Sequence, residues 1–440
     1  MDQKLKRSRG IGAEDRMSGL PEQVLCSILK NLETTQVVQT SILSTRWRHI
    51  WTQVNCFHFC DFPITGPSRK YNTQERLQKN RLVNFVNRVL MIYPLPSMKR
   101  LRLHLMHQHS TSDVDSWIWS AIIRNIQELD LFSGMEGPIQ LPRFLFTLKS
   151  LTILSLKSKI GINNLPESIL LPSLNRLHLE DFALADDSVI VRFLSGSPTL
   201  EELVLENVRT QALCVSSSSL KRFKINNNAW YNRQEQSCRI VIDAPNLEFL
   251  ELRDFHTSRI YKVEVKNLDS IANVLLHIVN LCDNAVDVLM QISSVKVLSL
   301  PLISVQVNQN LPCLKKLTQL VVTCWEKDGS NFLNILGMAP NLKLLALEKS
   351  FGRAIPRGAL SDEQCVPECL KSSLERFEWE SFQDIEGDME TLEFVLRNAK
   401  VLKKVRISAV FYRKKTESEK KLMEKLSRFS NINSIMVSCR

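Results

Sequence analysis

Two cysteine-containing motifs could in principle hold a metal ion. They read Cys56-x-His58-x-Cys60 and Cys365-x-x-x-Cys369, and thiolate and imidazole groups are the ligands that zinc prefers. Neither motif is accompanied by a second pair at the spacing of a zinc finger. The sequence therefore predicts no metal site.

Catalytic chemistry has equally little support. The chain contains no glycine-rich phosphate loop, no G-x-S-x-G and no H-E-x-x-H motif, which are the short patterns that position phosphates, nucleophiles or metals. His178 and His256 lie near candidate strands and are interpreted as surface or rim residues. We predict no catalytic residue and no cofactor, and we expect a protein that works by binding.

The composition is that of a folded chain outside the membrane. Its 440 residues are 44% hydrophobic and 23% charged, which is typical of globular domains. The most apolar run, residues 271–282, is interrupted by polar residues and is shorter than the roughly 20 residues of a membrane span. The N-terminus lacks the apolar segment of a secretory signal, so we expect the cytoplasm or the nucleus.

The formal net charge is +11, and a basic chain can bind nucleic acid. Two basic clusters lie within residues 4–9 and 413–421, and the remaining charges are spread along the chain without interleaved aromatic residues. This distribution favours a solvated surface over a nucleic-acid site. A basic nuclear repeat protein that contacts nucleic acid remains an alternative.

Three short helices are predicted within residues 15–54. Apolar residues at helical spacing mark the first helix, which begins after Leu20-Pro21, and either Thr34 or Thr35 could cap the second. A third segment holds Trp47, Ile50 and Trp51. So small a bundle is only marginally stable alone, and it carries more apolar side chains than it can bury. Part of that apolar surface is therefore expected to bind a partner.

This stretch resembles the F-box of plant F-box proteins. The matching residues are Asp15-Arg16, Leu20-Pro21, Val24-Leu25, Ile28-Leu29, Leu32, Ser41, Leu43-Ser44, Arg46-Trp47-Arg48 and Trp51. His49 stands where an aromatic residue is common, and Gln36 where an acidic one is frequent. The resemblance implies docking onto a Skp-type adaptor and, through it, onto the cullin of an SCF ubiquitin ligase. The residues expected to form the adaptor-binding bundle, by contact or by support, are Leu20, Pro21, Val24, Leu25, Ile28, Leu29, Val38, Leu43, Trp47 and Trp51.

A linker and a helix are predicted next. Residues 57–73 are rich in Pro, Gly, Thr and Ser, which favours irregular structure. An amphipathic pattern then runs from Leu77 to Leu90 and ends before Tyr93-Pro94, because a residue before proline disfavours helix. We expect this helix to cap the segment that follows.

A leucine-rich repeat occupies most of the remaining chain. The pattern L-x-x-L-x-L, with other apolar residues allowed, begins near residues 101, 126, 151, 174, 200, 220, 247, 271, 295, 317, 342, 374, 402 and 432. Its spacing of about 20 to 32 residues is close to that of irregular leucine-rich repeats. One copy cannot bury its apolar face, so the copies are expected to stack as a solenoid of parallel strands. Residues 187–194 and 331–337 are predicted to be connecting helices.

The last eighty residues resemble the FBD domain of plant F-box proteins. The matching runs are Val366–Leu370, Ser372–Leu374, Phe377–Trp379, Glu390–Leu396, Asn398-Ala399 and Leu402–Lys404. The pattern predicts strands at 374–379, 402–407 and 432–437 with helices at 388–398 and 417–428. We expect this module to continue the repeat and to cover its C-terminal end.

The strand face of the repeat is the expected site for a target protein. Residues between the apolar positions should line it, and in the middle of the chain these are Glu202, Val204, Glu248, Phe249 and Glu251. They predict an acidic and apolar surface that would suit a basic segment of the target. Lys403, Lys404 and Arg406 make the last repeat basic by contrast.

The sequence thus predicts an α/β fold with an N-terminal three-helix F-box bundle, an irregular leucine-rich-repeat solenoid and a C-terminal FBD-type strand–helix cap. The predicted boundaries are 1–14 for a disordered basic tail, 15–55 for the F-box, 56–97 for the linker and capping helix, 98–360 for the repeats and 361–440 for the FBD-type domain. The resemblance implies a non-catalytic subunit of an SCF ligase that brings an unknown target to ubiquitination. A repeat scaffold that never joins a ligase is the alternative.

Overall fold

The computed structural model describes most of the chain. The described residues are 19–61, 71–107, 109–134, 139–158, 160–161, 165–182, 184, 187–208, 210–227, 237–254, 260–278, 285–301, 311–324, 330–349, 366–383, 386–410, 422–424, 426 and 434–439. They fall into two compact units, one within Met1–Leu151 and Lys159–Asn164, the other within Thr152–Ser158 and Leu165–Arg440. The predicted basic tail and most of the predicted 417–428 helix lie outside the described residues.

The first unit begins with helices and continues with parallel strands. Its helices are α1 (Glu22–Leu29), α2 (Thr34–Gln39), α3 (Tyr71–Ile92) and α4 (Thr111–Ile122), with 3₁₀ helices at Thr40–Ile42, Trp47–Gln53 and Arg143–Thr147. Its strands are β1 (Cys56–Cys60), β2 (Arg100–Leu105), β3 (Glu128–Ser133), β4 (Ile139–Gln140) and β6 (Ile160–Gly161). Strand β2 pairs with β1 on one side and β3 on the other, all in parallel.

Strand β1 corrects the prediction that the chain becomes a linker after the helical bundle. Its residues pair with β2 from Cys56 to Cys60, and its alternating aromatic side chains explain why. Phe57 packs edge-on against Tyr93 at 4.7 Å between ring centroids, and Phe59 packs against Phe85 at 6.1 Å. Helix α3 therefore covers the apolar side of β1, as burial of alternate strand residues requires.

Thr34 does not cap α2, in contrast to the prediction. Its side chain is buried, and its hydroxyl oxygen accepts a hydrogen bond from the His58 amide at 2.8 Å. The bond ties the helical bundle to β1. A local capping pattern could not reveal this tertiary use of the hydroxyl group.

The second unit holds the main run of repeats. Its helices are α5 (Ser188–Gly196), α6 (Ala285–Gln291), α7 (Ser330–Gly337), α8 (Glu368–Ser372) and α9 (Glu386–Asn398). Its sheet orders the parallel strands β5 (Ile153–Lys157), β7 (Arg176–Glu180), β8 (Glu202–Glu206), β10 (Arg222–Asn227), β12 (Phe249–Asp254), β14 (Asn273–Ile278), β15 (Val297–Pro301), β16 (Gln319–Cys324), β17 (Leu344–Lys349), β18 (Arg376–Phe382), β19 (Lys404–Ala409) and β20 (Ser434–Cys439).

The predicted repeat copies fall on these strands and on β2 and β3, which confirms the fold class. Within each strand the leucine-type residues are buried, as for Leu203 and Leu205 in β8. The register aligns them sideways, so that Leu203 lies beside Leu177 on one strand and Phe223 on the other. Each repeat thus buries its apolar face against its neighbours. The predicted helices at 187–194, 331–337 and 388–398 are confirmed by α5, α7 and α9.

A second parallel sheet lies between the central repeats and was not predicted. It consists of β9 (Ala212–Ser216), β11 (Ser237–Asp243) and β13 (Ile260–Lys266), in the order β13-β11-β9. Its strands alternate buried and exposed residues, a period of two that favours strand over helix. The repeat pattern dominates the sequence so strongly that these connecting strands are easily missed.

A close backbone approach explains one glycine of the second unit. A Cβ atom on Gly196, at the end of α5, would lie 2.0 Å from the Ile169 carbonyl oxygen, whereas one on Gly337 would meet nothing within 4 Å. Any side chain at position 196 therefore requires the backbone to move. Across the described ranges, no helix combines the length and the hydropathy needed to cross a bilayer.

Candidate protein-interaction surfaces

The helical bundle of residues 20–56 is held by one small apolar core. The buried members of this core are Leu25, Leu29, Val37, Trp47, Ile50, Val54 and Cys56, with Leu20, Cys26 and Trp51 packed at its margin. Leu25 and Leu29 are four residues apart, so they share one side of α1. That side faces the core, which leaves the other side of α1 without an intramolecular role.

Exposed apolar residues lie on α1 next to its buried side and just after the helix ends. Val24, Ile28 and Leu32 follow each other at four-residue steps and are all exposed. At the corner after α2, Ile42 is 84% exposed and Leu43 is 65% exposed. Such side chains in so small a domain indicate a surface that a partner covers. We call these five residues the exposed bundle surface.

Two polar contacts join the parts of the bundle that carry this surface. The guanidinium group of Arg46 donates a hydrogen bond to the Leu20 carbonyl oxygen, which connects the chain after Leu43 to the start of α1. The Gln53 side-chain amide donates to a Glu22 carboxylate oxygen at 3.1 Å. Both contacts are exposed, so each contributes little stability by itself, but together they limit how far the two ends of the bundle can separate.

The predicted adaptor-binding residues divide into two groups in the structure. Pro21, Val24, Ile28 and Leu43 are exposed and could contact a partner, whereas Leu25, Leu29 and Trp47 are buried and can only support the bundle. Leu20, Val38 and Trp51 are half-buried. Sequence reasoning left Ile42 and Leu32 out of the predicted site. Ile42 belongs to a short 3₁₀ helix, where helical periodicity gives no reliable direction for a side chain.

The predicted target-binding residues lie on or beside adjacent strands of the second unit. Val204, in the middle of β8, is buried and offers no contact area. Glu202 forms an ion pair with Arg176 on the neighbouring strand, with 3.4 Å between the side-chain atoms. Glu248 is exposed in the turn before β12. These residues remain a predicted binding site that no comparison tests.

Cations beside the predicted residues interrupt the acidic character that was expected of this region. Arg253 contacts Glu251 at 3.0 Å, and the Lys224 ammonium group lies 5.3 Å from the centroid of the Phe249 ring. Lys224 and Phe249 lie on neighbouring strands, so a reading of one strand at a time could not find this contact, whereas Glu251 and Arg253 lie on the same strand. The surface in the middle of the sheet is mixed in charge rather than acidic.

His178 lies in a cluster of polar side chains on β7 and β8. Potential ligand atoms of His178, Glu180 and Glu206 all lie within 4.8 Å of one another. The hydrogen bond from His178 lowers the pKa of Glu206, whereas burial and the charge of Glu206 raise the pKa of Glu180. The positive charge of Lys157 acts to lower the pKa of both carboxyl groups. A cluster already balanced by an ammonium group has a structural explanation as an ion-pair network.

Each cysteine motif contributes a buried thiol to the described residues, Cys56 and Cys369. Burial raises the pKa of the Cys56 thiol and raises that of Cys369 to about 11. Both shifts favour the neutral thiol, which is a poor metal ligand. Cys365, the other member of the second motif, and His256 lie outside the described residues.

Comparison with known proteins identifies the family of this chain. The F-box domain matches residues 17–59, the leucine-rich repeats of an FBD-associated F-box protein, At5g56370, match residues 114–271, and the FBD matches residues 362–407. The FBD-associated F-box protein At4g10400 of Arabidopsis thaliana is 30% identical over 395 residues, 88% of this chain and 90% of the relative. The chain belongs to the F-box/FBD/LRR-repeat family.

Two other relatives from Arabidopsis thaliana agree with this assignment. The F-box/FBD/LRR-repeat protein At5g56420 is 28% identical over 412 residues, covering 90% of this chain and 92% of the relative. The F-box/FBD/LRR-repeat protein At1g51370 is 29% identical over 425 residues, covering 92% and 91%. The predicted family is therefore confirmed along nearly the whole chain.

Family membership carries a general biochemical role. F-box domains generally bind Skp-type adaptors in SCF complexes, and proteins that join an F-box to leucine-rich repeats serve in general as substrate adaptors of SCF-type ligases. F-box proteins are typically non-catalytic receptors. In this F-box/FBD/LRR-repeat protein, the exposed bundle surface lies within the part that matches the F-box.

Proposed function

We propose that this chain is a substrate-recruiting subunit of an SCF-type ubiquitin ligase. Its F-box bundle would dock onto a Skp-type adaptor, and its repeat strands would hold a target protein for ubiquitination. The proposal rests chiefly on one observation, the exposed bundle surface, where five large apolar side chains stay exposed beside a small buried core.

The mechanism would be one of proximity rather than catalysis. A receptor that holds a target near a charged ubiquitin carrier raises the effective concentration of the two reactants. This requires two separate binding surfaces on one chain. The exposed bundle surface would serve as the first, and the face of the parallel strands in the second unit as the second.

Adaptor capture tests the proposal. The full chain is incubated with a purified plant Skp-type adaptor, beside an Ile42→Asp/Leu43→Asp double variant. We expect the wild type to retain the adaptor and the variant to lose it, because two carboxylates would have to be desolvated in an apolar contact. The variant should keep the wild-type circular dichroism spectrum, since both positions are exposed.

The chain offers a matched control for surface hydrophobicity. Met91 and Ile92, at the end of α3, are 88% and 56% exposed, close to the values for the bundle pair. A Met91→Asp/Ile92→Asp variant should capture the adaptor like the wild type. If the wild type binds no adaptor, or if the bundle variant binds as well as the wild type, the ligase proposal fails and a repeat scaffold becomes the better account.

A further inference from the structure

The strand face of the second unit carries an apolar strip where charged residues would be expected. On β7 and β8 the first strand residues are Arg176 and Glu202, and on β18 and β19 they are Arg376 and Lys404. On the five strands from β12 to β17, the same face instead presents at least one half-buried apolar side chain per strand at its first or third position, and the remaining such positions hold Glu251, Asn273, Ser299 and Gln319. The apolar side chains are those of Phe249, Leu275, Val297, Val321, Leu344 and Ala346.

The register makes these residues one continuous strip. In the row of first strand positions, Val297 lies beside Asn273 on one strand and Gln319 on the other. In the row of third positions, Ser299 lies beside Leu275 and Val321. Apolar residues of the two rows therefore alternate from strand to strand. With about 4.8 Å between neighbouring strands, the strip spans about 19 Å.

Unpaired cations stand at both ends of the strip. Arg222 is the first residue of β10, directly beside Phe249, and Arg376 is the first residue of β18, directly beside Leu344. Lys404 follows Arg376 on the next strand. All three are exposed, and none forms an ion pair within the part of the chain that the structure describes. The nearest acid in the same row, Glu202, is already held by Arg176.

Two acidic residues lie in the row of third positions, Glu251 of β12, which forms an ion pair with Arg253, and Glu378 of β18, beside Ala346, and further acids lie towards the other ends of the strands. Glu348 of β17 is in line with Glu380 of β18, and burial together with the charge of Glu380 raises the pKa of Glu348. A ligand that lies along the first row, at the starts of the strands, therefore meets cations at its two ends and, between them, apolar side chains separated by Asn273 and Gln319. A ligand shifted towards the strand ends would meet carboxylates.

We propose that this strip binds an extended segment of a target protein, with apolar side chains in its middle and acidic residues at both ends. The inference rests on the proposed function, because it specifies the target class of the same repeat face. Arg222 and Arg376 are six strands apart, or about 29 Å, which an extended segment of about nine residues would span. Complementary charge would fix the position of the segment, and the apolar strip would supply most of the affinity.

Fluorescence anisotropy with the full chain tests this proposal. The probe is a fluorescein-labelled nine-residue peptide with two aspartates at each end and alternating leucine and serine between them, and a second peptide replaces the aspartates by lysines. We expect the acidic peptide to bind at least tenfold more tightly than the basic one, with the difference shrinking in high salt. Equal binding of the two peptides, or tighter binding of the basic one, would overturn the proposal.

Variants then localise the site. Val321→Ser/Leu344→Ser should weaken binding of the acidic peptide at least tenfold. Met436→Ser is the matched control, since Met436 is an exposed apolar residue of β20 in the same row as Arg406 but beyond the strip, and it should change binding less than twofold. If both variants weaken binding equally, the peptide adheres to apolar surface in general and the strip has no special role.

A charge exchange provides a test that does not depend on the packing of the strip. Arg222→Glu/Arg376→Glu alters two exposed residues and should reverse the preference, so that the basic peptide binds more tightly. An unchanged preference would refute the placement of the segment. Adaptor capture is measured on the same preparations. Loss of peptide binding with normal capture would bear on this inference alone, and absent capture with normal peptide binding would bear on the proposed function alone.

Discussion

The exposed bundle surface predicts a graded loss of adaptor affinity that follows exposure. Ile42, Leu43 and Ile28 are 84%, 65% and 40% exposed, so a partner that covers the surface would bury different amounts of each. Substitution by alanine removes three side-chain carbons in every case. The three variants should therefore weaken binding in the order in which the residues are exposed.

The magnitudes follow from the area available to a partner. Each apolar carbon that a partner buries contributes about 0.8 kcal/mol. Scaled by the exposed fraction, Ile42→Ala should cost about 2 kcal/mol and Ile28→Ala about 1 kcal/mol of binding free energy. These values correspond to about 30-fold and about fivefold weaker binding. Leu43→Ala should fall between the two.

Isothermal titration calorimetry of the full chain with a purified plant Skp-type adaptor measures these changes. Two controls bracket the series. Met91→Ala, on the exposed end of α3, should bind like the wild type. Leu25→Ala should instead lower the free energy of unfolding by about 2–5 kcal/mol, because Leu25 is fully buried in the bundle core.

The order of the variants can refute this reasoning. If Ile42→Ala binds the adaptor as tightly as the wild type while Ile28→Ala does not, exposure is not what determines the contact and the partner lies along α1 alone. If none of the three variants changes the affinity, the exposed bundle surface is not the adaptor site.

Three further predictions concern stability. Burial opposes ionisation of Asp61, but the hydrogen bonds from His109 and from the Met106 and His107 amides together outweigh it and lower its pKa; Asp61→Asn should cost about 1.5–3 kcal/mol of unfolding free energy. The stability that ionised Asp61 contributes is present above about pH 4 and is lost as the pH falls through the pKa of Asp61 in the folded state. Burial lowers the pKa of His277 to about 4, so urea stability should fall between pH 6.5 and 4, by about 2 kcal/mol at pH 5, and His277→Gln should remove this dependence. Gly196→Ala should lower the thermal midpoint because its Cβ would meet a backbone carbonyl group, and Gly337→Ala should not.

Each of these predictions has a result that contradicts it. The prediction for Asp61 is contradicted if Asp61→Asn and the wild type unfold at the same urea concentration at pH 7. For His277, equal urea midpoints at pH 7 and pH 5 would mean that the folded state accepts the proton. Equal thermal midpoints for the two glycine variants would show that the chain near position 169 moves freely to admit a methyl group.

The repeat architecture and the helical bundle could be predicted from sequence because both depend on local periodicity. A leucine-type residue at every second position of a short strand, repeated about every 20 to 32 residues, leaves stacking as the way to bury the apolar faces. The spacing from Leu25 to Leu29 likewise assigns one side of α1 to a core. These patterns hold wherever the neighbouring elements lie.

Local pattern failed where a residue serves a distant partner. Residues 57–61 read as the start of a linker, but Phe57 and Phe59 form a strand because α3 covers their side of it. The hydroxyl of Thr34 has the chemistry of a helix cap, yet it accepts the His58 amide instead. Only the packing of one element on another decides between two such uses.

The candidate surfaces show the same division. The sequence identified the F-box residues and the strand face, but the structure separated contact from support in the bundle, adding the most exposed residue, Ile42. On the strand face it paired Glu202 with Arg176 of the neighbouring strand and placed the ammonium group of Lys224 beside the ring of Phe249. Residues that face each other across parallel strands are 20 to 30 positions apart, so their charges and apolar areas combine only after the register is set. The sequence alone therefore determined the repeat and the helical bundle, and the packing and register between elements decided which side chains their surfaces present.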